Sequence, residues 1–165
     1  MFTIGDLIIY SGHGICIIDD ICEITISGTS RLYYELHPLE NPQKLAIKVP
    51  VDNDKVMMLE MIKKDEASRI LDSFSLPGIP WNDHPNLRYQ LFSKSINSGD
   101  RMEIAKVINT ILRKKLAYKK EEKKLYEQDR KLMETTKNIL FKELAIAIDS
   151  SFEEINALVL NKISS

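Results

Sequence analysis

The spacing of the hydrophobic residues changes near residue 61, and this change constrains the fold more than any other feature. Before it, runs rich in β-branched residues, such as LIIY (7–10) and GICIIDDICEI (14–24), are separated by turns containing Gly and Ser. After it, apolar residues recur at the three- and four-residue spacing of helices that face a core. The sequence therefore predicts a β domain over residues 1–60 and a helical domain over residues 65–165.

The β domain is predicted to contain four or five short strands. A hairpin turns at Ser27-Gly28-Thr29-Ser30, and a later strand, KLAIKVPV (44–51), is ended by Pro50. Short strands with tight turns in so few residues indicate a small, strongly bent, barrel-like sheet.

The helical domain is predicted to be one bundle of about five helices. Ser98-Gly99-Asp100 ends one helix and caps the next, Asp129 is the predicted N-cap of the fourth helix, and Ser151 with Glu154 fits a capping box for the fifth. The predicted fold class is therefore α+β, with a small bent sheet followed by an all-α bundle.

Charge is divided unequally between the two halves, although the net charge of the chain is only −1. Residues 1–60 carry 4 Lys/Arg against 9 Asp/Glu, and residues 61–165 carry 19 against 15. The positive charge is concentrated in residues 86–142, which hold 15 Lys/Arg against 7 Asp/Glu. An acidic β domain beside a basic helical domain suggests two partners of different chemistry.

A run of cations in residues 113–124 is the strongest indication of nucleic-acid binding. Phosphate contacts need only cations that can approach the backbone, and a lysine-rich helical patch without an aromatic platform favours duplex over single strands. A solvated helix face with Lys–Glu pairs remains the alternative interpretation. The cations are Arg113, Lys114, Lys115, Lys119, Lys120, Lys123 and Lys124, opposed by Glu121 and Glu122.

The single tryptophan, Trp81, lies in the segment SLPGIPWNDHP (75–85), which cannot be helical through Pro77, Gly78 and Pro80. Two roles are open for it. It could anchor the loop to the bundle as a structural residue, or it could act as an apolar wedge that enters a minor groove and stacks on an unstacked base step.

Residues typical of an active site are few. His13, Cys16, Cys22 and His37 are the plausible soft metal ligands, but their spacing matches no zinc module. The sequence has no Gly-rich phosphate loop, nucleophile elbow or paired-carboxylate motif. We therefore expect a non-enzymatic protein with no cofactor, no metal and no small-molecule substrate.

The chain is expected to be cytoplasmic and not to bind a membrane. Its first residues, MFTIGDLIIYSGHG, lack the positively charged leader of a signal peptide. No apolar run approaches the roughly 20 residues of a membrane span.

The opening FTIGDLIIYSGHGICIIDDI resembles the start of the CarD/CdnL family, although Ser11 stands where proline is usual. The matching positions there are Gly5, Asp6, Tyr10, His13 and Gly14. Later matches are YYEL (33–36), AIKVPVDN (46–53), Arg88-Tyr89, Ser98-Gly99-Asp100 and ILFKELAIA (139–147). The resemblance therefore covers nearly the whole chain.

This resemblance implies that the β domain is Tudor-like, as in transcription-repair coupling factors, and that it binds the β-subunit lobe of bacterial RNA polymerase by strand addition. The implied polymerase-binding residues are Ile47, Lys48, Val49 and Pro50. Lys48 stands where arginine is common, so the contact keeps its charge but loses the planar fork that suits carboxylates.

For the helical domain, the resemblance implies contact with promoter DNA just upstream of the transcription bubble, with a tryptophan wedged into the minor groove. The candidate DNA-binding residues are Trp81, Arg88, Arg113, Lys114, Lys115, Arg130 and Lys131. Residues 82–87 separate Trp81 from Arg88-Tyr89 by more than is usual, and Gln90 replaces a basic residue. Either the loop is longer and Trp81 still reaches DNA, or the wedge role is lost.

Together these features predict a transcription regulator that binds the RNA polymerase β subunit and promoter double-stranded DNA at the upstream edge of the bubble. It would modulate open-complex stability through largely sequence-independent DNA contacts, and would associate with the nucleoid through RNA polymerase. One alternative is a protein–protein adaptor on RNA polymerase with no direct DNA role. A second is a metal enzyme that uses His13, Cys16 and His37.

Overall fold

The computed structural model describes residues 1–11, 13–40 and 46–165, which form two compact units divided between Met61 and Ile62. The strands of the first unit are β1 (Leu7–Tyr10), β2 (Gly14–Ile26), β3 (Thr29–Pro38), β4 (Ile47–Pro50) and β5 (Met58–Glu60). The helices of the second unit are α1 (Lys64–Ser73), α2 (Pro85–Asn97), α3 (Arg101–Lys120), α4 (Glu127–Ala147) and α5 (Phe152–Ser164). The predicted α+β fold class is confirmed.

The first unit is one antiparallel sheet with the strand order β4-β3-β2-β1-β5. Its long β2–β3 hairpin turns at Ser27 and Gly28, whose φ angles of 52° and 80° give the mirror-image turn that suits twisted strands. A bulge between Ile18 and Asp20 interrupts the β2–β3 register and bends the ribbon. In the predicted strand 44–51, Lys44 and Leu45 lie outside the described residues.

One face of the sheet carries a small core formed by Ile8, Cys16, Ile18, Tyr34, Leu36 and Val49. The Tyr34 hydroxyl accepts a hydrogen bond from the Phe2 backbone N–H at 3.0 Å, and the two rings meet edge to face at 5.9 Å between centroids. Burial raises the pKa of the Cys16 thiol to about 11. Cys16 is therefore a protonated core residue near neutral pH.

Strand β4 lies at the edge of the sheet and pairs with β3. Just beyond it, the Val51 N–H donates to the Leu32 carbonyl at 2.9 Å. Hydrogen-bonded and non-bonded pairs alternate along an antiparallel ladder, so Val49 also directs its backbone groups toward β3. Lys48 and Pro50, at the alternate positions, turn their backbone groups away from the sheet. The proline, which has no N–H, therefore removes no bond from the β3–β4 ladder.

Local capping explains where α3 and α5 begin. Asp100 accepts hydrogen bonds from the N–H groups of Met102 and Glu103 at 2.9 and 3.3 Å, as predicted for the start of α3. Ser151 likewise accepts from the Glu154 N–H at 3.1 Å and caps α5. The Glu154 carboxylate accepts from the Ser150 hydroxyl, so only the first bond of the predicted capping box is formed with Ser151.

The prediction that Asp129 caps α4 is wrong. Helix α4 begins at Glu127, and Tyr126, three residues before Asp129, occupies the N-cap position. Asp129 lies within the first turn of the helix with only 2% of its surface exposed, because its carboxylate is paired with a side chain of another helix.

The core of the second unit is formed mainly by apolar residues of α1, α3, α4 and α5, with Phe92 contributed by α2. Its largest fully buried side chains are Phe74, Phe92, Phe141, Ile70, Ile108, Ile111, Met133, Leu144 and Ile155. Among the helices of the described residues, none is both long and apolar enough to cross a membrane.

Candidate nucleic-acid interface

The segment between α1 and α2 is held along one side of α3 by polar side chains. The Asn109 amide donates to the Leu76 carbonyl at 2.7 Å, and the Thr110 hydroxyl donates to the Ile79 carbonyl at 2.7 Å. Arg113 donates to the Phe74 carbonyl at 2.8 Å. These bonds satisfy carbonyls that no longer belong to a helix, and they fix the path of the chain toward Trp81.

Gly78 allows this segment to approach the α3 backbone closely. A Cβ atom at this position would lie 2.3 Å from the Thr110 Oγ1 and 2.4 Å from the Lys106 carbonyl oxygen. The second atom belongs to the helix backbone and cannot rotate away. Only glycine fits here without displacing the segment from α3.

Trp81 is half-buried and surrounded by rings and cations. Its indole meets Phe92 and Tyr118 edge to face, at 6.1 and 6.4 Å between ring centroids. The Arg88 guanidinium carbon lies 4.2 Å from the indole centroid, and the Lys114 ammonium lies 5.2 Å from it. Cations at these distances are attracted to the face of the ring, so the indole is held in one orientation.

Arg88 is fixed by three hydrogen bonds rather than exposed to solvent. Its Nε and Nη2 donate to the two carboxylate oxygens of Asp129 at 3.1 and 2.6 Å, and its Nη1 donates to the Asn82 carbonyl at 2.8 Å. The Arg88 and Asp129 side chains are 4% and 2% exposed. This geometry argues against a direct Arg88–phosphate contact, so we assign Arg88 to the support of Trp81.

The residues between Trp81 and Arg88 form a compact turn followed by the first turn of α2. The Asn82 side chain accepts from the His84 N–H at 2.9 Å, and His84 Nδ1 accepts from the Leu87 N–H at 3.2 Å as the helix N-cap. Helix α2 then begins at Pro85, so Arg88 lies one turn into it and folds back onto Trp81.

The other predicted cations differ in how accessible they are. Arg113 is partly buried and bound to carbonyls and to Asn109, whereas Lys114 lies near the rings of both Trp81 and Tyr118. Lys115 and Lys131 are exposed on α3 and α4.

Arg130 is exposed but forms an ion pair with Glu127 in the first turn of α4. The hydrogen bond from Arg130 holds the pKa of Glu127 below its usual range, and the same bond raises the pKa of Arg130. The carboxylate partly offsets the cation at this position, so Lys131 presents the more available charge.

Sequence reasoning missed several residues that shape this site. Asn109 and Thr110 are polar positions inside an apolar stripe, a signal of buried hydrogen bonding that was available. Tyr126 is 59% exposed, and its ring centroid lies 5.4 Å from the Arg88 guanidinium carbon. No local sequence pattern indicates this contact, because residues 88 and 126 are brought together only by the tertiary fold.

The four residues of the implied polymerase surface also differ in exposure. Val49 is buried at 3% exposure and turns its backbone toward β3, so only its neighbours can contact a partner. Lys48 is exposed, and its ammonium lies 3.9 Å from Glu35 on β3. Ile47 and Pro50 are half-buried.

The potential metal ligands of the first unit have other contacts. The His13 ring stacks on Tyr10 at 5.3 Å, His37 Nδ1 lies 2.5 Å from Asp19 Oδ2, and Cys16 is buried. Within the described part of the chain, no group of three or more His, Cys, Asp or Glu side chains is arranged to hold a metal ion.

Replacing Gly78 with alanine is expected to destabilise the second unit by about 1–3 kcal/mol, because the added methyl group overpacks against α3. Urea unfolding followed by circular dichroism measures this loss. Gly28→Ala is the control for the clash. Its Cβ would meet no atom within 4 Å, so the only cost expected there is the strain of alanine at a positive φ. The double variant Gly78→Ala/Thr110→Ala should remain destabilised, because the clash with the Lys106 carbonyl persists; full recovery would contradict this explanation.

Two family models match different parts of the chain. The model of the CarD-like/TRCF RID domain matches residues 2–62, and the model of the CarD C-terminal domain matches residues 69–160. The combination of these two domains indicates a family of transcription regulators that interact with RNA polymerase and are of a non-enzymatic type. The two matches together cover nearly the whole chain, which therefore belongs to the CarD/CdnL family.

Proposed function

We propose that the first unit binds the β-subunit lobe of RNA polymerase, and that the second unit binds promoter double-stranded DNA at the upstream edge of the transcription bubble. Binding at this edge would modulate the stability of the open complex. Both contacts are supported by membership of the CarD/CdnL family, by the ring of Trp81 in the second unit and by the edge strand β4 in the first.

The observation that carries the DNA part of the proposal is the half-buried indole of Trp81, held by Arg88 and Lys114. An apolar ring fixed at the surface can insert at a base step without losing much side-chain freedom. The rings of Phe92 and Tyr118 support it from the protein side. Trp81 can therefore anchor its loop and contact DNA at the same time.

The surroundings of Trp81 are suited to a phosphate backbone. Its contacts with Tyr118 and with Arg88, the partner of Asp129, place it near the end of α3 and the start of α4. Exposed lysines here are Lys115, Lys119, Lys120, Lys123, Lys124 and Lys131, of which Lys123 is paired with Glu121. Lysine–phosphate contacts carry no base information, so binding should be largely independent of sequence.

The feature that supports polymerase binding is the edge strand β4. Lys48 turns both its N–H and its carbonyl outward, which is what a partner strand needs in order to pair. Its ammonium, close to Glu35, adds a charge beside those backbone groups. We assign the contact to the backbone of β4 and to the Lys48 side chain.

Regulation then follows from a difference in affinity. A factor tethered to polymerase shifts the equilibrium between closed and open complexes only by the difference between its binding free energies for the two complexes. A difference of about 1.4 kcal/mol changes that equilibrium roughly tenfold. Trp81 supplies such a difference if it contacts a base step that is unstacked only in the open complex.

Trp81→Ala is expected to shorten the lifetime of open complexes formed by the cognate polymerase holoenzyme, while polymerase binding stays unchanged. The alanine removes the wedge and leaves the β4 edge intact. Lifetimes measured by competitor challenge, together with a polymerase pull-down, check this result. Loss of both properties, with loss of helical circular dichroism, would instead make Trp81 a core residue.

Lys115→Ala/Lys131→Ala should weaken DNA binding of the polymerase complex and reduce the slope of log affinity against log salt by about 2, since each phosphate contact contributes about 0.9. Lys63→Ala/Lys64→Ala removes two exposed lysines at the start of α1 and serves as the control. Equal slopes for the two double variants and the unchanged protein would support an adaptor without a DNA role.

Lys48→Pro should abolish or strongly weaken polymerase binding, because proline removes the outward N–H without removing a bond of the β3–β4 ladder. Lys48→Ala keeps that N–H and should retain most of the binding. Titration of each variant against polymerase measures the difference. Equal affinities for the two variants would argue against strand addition at this edge.

A further inference from the structure

We propose that Asp129 and Arg88 act as positioning residues for Trp81, with the carboxylate of α4 setting the orientation of the indole through the guanidinium of α2. The inference rests on the proposed contact between Trp81 and DNA. It assigns a role in that contact to Asp129, a buried residue that cannot itself reach a nucleic acid.

The hydrogen bonds of Arg88 fix the plane of its guanidinium. Asp129 binds two of its nitrogens and the Asn82 carbonyl binds the third, so the group has little freedom to rotate. The indole of Trp81 lies 4.2 Å from the carbon at the centre of this group. The position of the guanidinium plane therefore determines the position and tilt at which the indole ring makes its cation–π contact.

Asn82 links the same guanidinium to the backbone beside Trp81. Its carbonyl accepts from Arg88 at 2.8 Å, and Asn82 directly follows Trp81 in the chain. Arg88 thus restrains both the ring of Trp81 and the main chain next to it. The exposed ring of Tyr126, 5.4 Å from the guanidinium carbon, is held by the same cation.

Asp129 makes this arrangement possible because it neutralises a buried charge. An arginine with a side chain only 4% exposed is costly without a partner. An asparagine at position 129 would offer one acceptor and turn its NH₂ group toward an Arg88 donor. It would therefore break one bond of the bidentate pair and release the guanidinium plane.

The second unit contains a matched control pair. Arg101 donates to the two carboxylate oxygens of Glu143 at 3.1 and 2.9 Å, and Glu143 is 2% exposed. Arg101 begins α3, whereas Lys114 lies near Trp81, about 20 Å farther along that helix at 1.5 Å per residue. The control is also a bidentate arginine–carboxylate pair, although Glu143 additionally accepts from the Ile62 N–H at 3.1 Å, and it lies away from the indole.

The test compares Asp129→Asn with Glu143→Gln in the full chain. Trp81 is the single tryptophan, so its emission spectrum and its quenching by acrylamide, a neutral quencher, report on this site alone. We expect Asp129→Asn to red-shift the emission, increase quenching, and shorten open-complex lifetime toward that of Trp81→Ala. Glu143→Gln should lower the urea midpoint while leaving emission, quenching and lifetime as in the unchanged protein.

Arg88→Lys provides a second variant, which is also used if Asp129→Asn does not fold. Lysine keeps the charge but cannot bind both carboxylate oxygens and the Asn82 carbonyl in one plane, so it should also red-shift Trp81 and increase its quenching. The positioning role is overturned if emission and quenching in the Asp129 and Arg88 variants match those of Glu143→Gln. Failure of the proposed function is a separate result, an unchanged open-complex lifetime with Trp81→Ala.

Discussion

The buried ion pair between Arg88 and Asp129 is the interaction on which the geometry around Trp81 depends. Each group would be costly to desolvate alone, so α2 and α4 can pack closely here only when both are present. The same guanidinium contacts Trp81, Asn82 and Tyr126. One ion pair therefore links the packing of two helices to the positions of the half-buried ring of Trp81 and the exposed ring of Tyr126.

Trp81 is also placed from the other direction, through the segment that leads to it. The carbonyls of this segment accept hydrogen bonds from Asn109, Thr110 and Arg113. Gly78 lets the segment approach the backbone of α3. Helix α3 is therefore a core helix on one side and a support for non-helical chain on another. This support lets the segment pass through two prolines and a glycine and still follow a defined path.

Sequence patterns predicted the elements well because those patterns are local. Hydrophobic spacing indicated the strands and helices, and Asp100 and Ser151 occupy the predicted N-cap positions. The partners of Asp129 and Arg88 could not be predicted in this way, since 41 residues separate them. An aspartate just before an apolar stripe has the local features of a cap, and its burial depends on a helix that only the tertiary fold brings near.

Charge counting had a similar limit in the candidate site. It treats every cation as available to a phosphate, yet Arg88 is buried and Arg113 is bound to main-chain carbonyls. The lysines were better predicted because a single ammonium has no planar fork to satisfy and usually remains solvated. Among the candidate cations, those accessible to a phosphate are therefore mostly lysines.

The position of Pro50 in β4 has a consequence for how the protein behaves at high concentration. An edge strand with a long row of unpaired backbone N–H and C=O groups can pair with the same strand of another copy of the chain. Repeated pairing of this kind leads to amyloid. Here Lys48 offers one outward N–H with a charged side chain, and Pro50 offers none at the next outward position. At β4, a short edge interrupted in this way has few open donors and resists self-propagating pairing with identical chains.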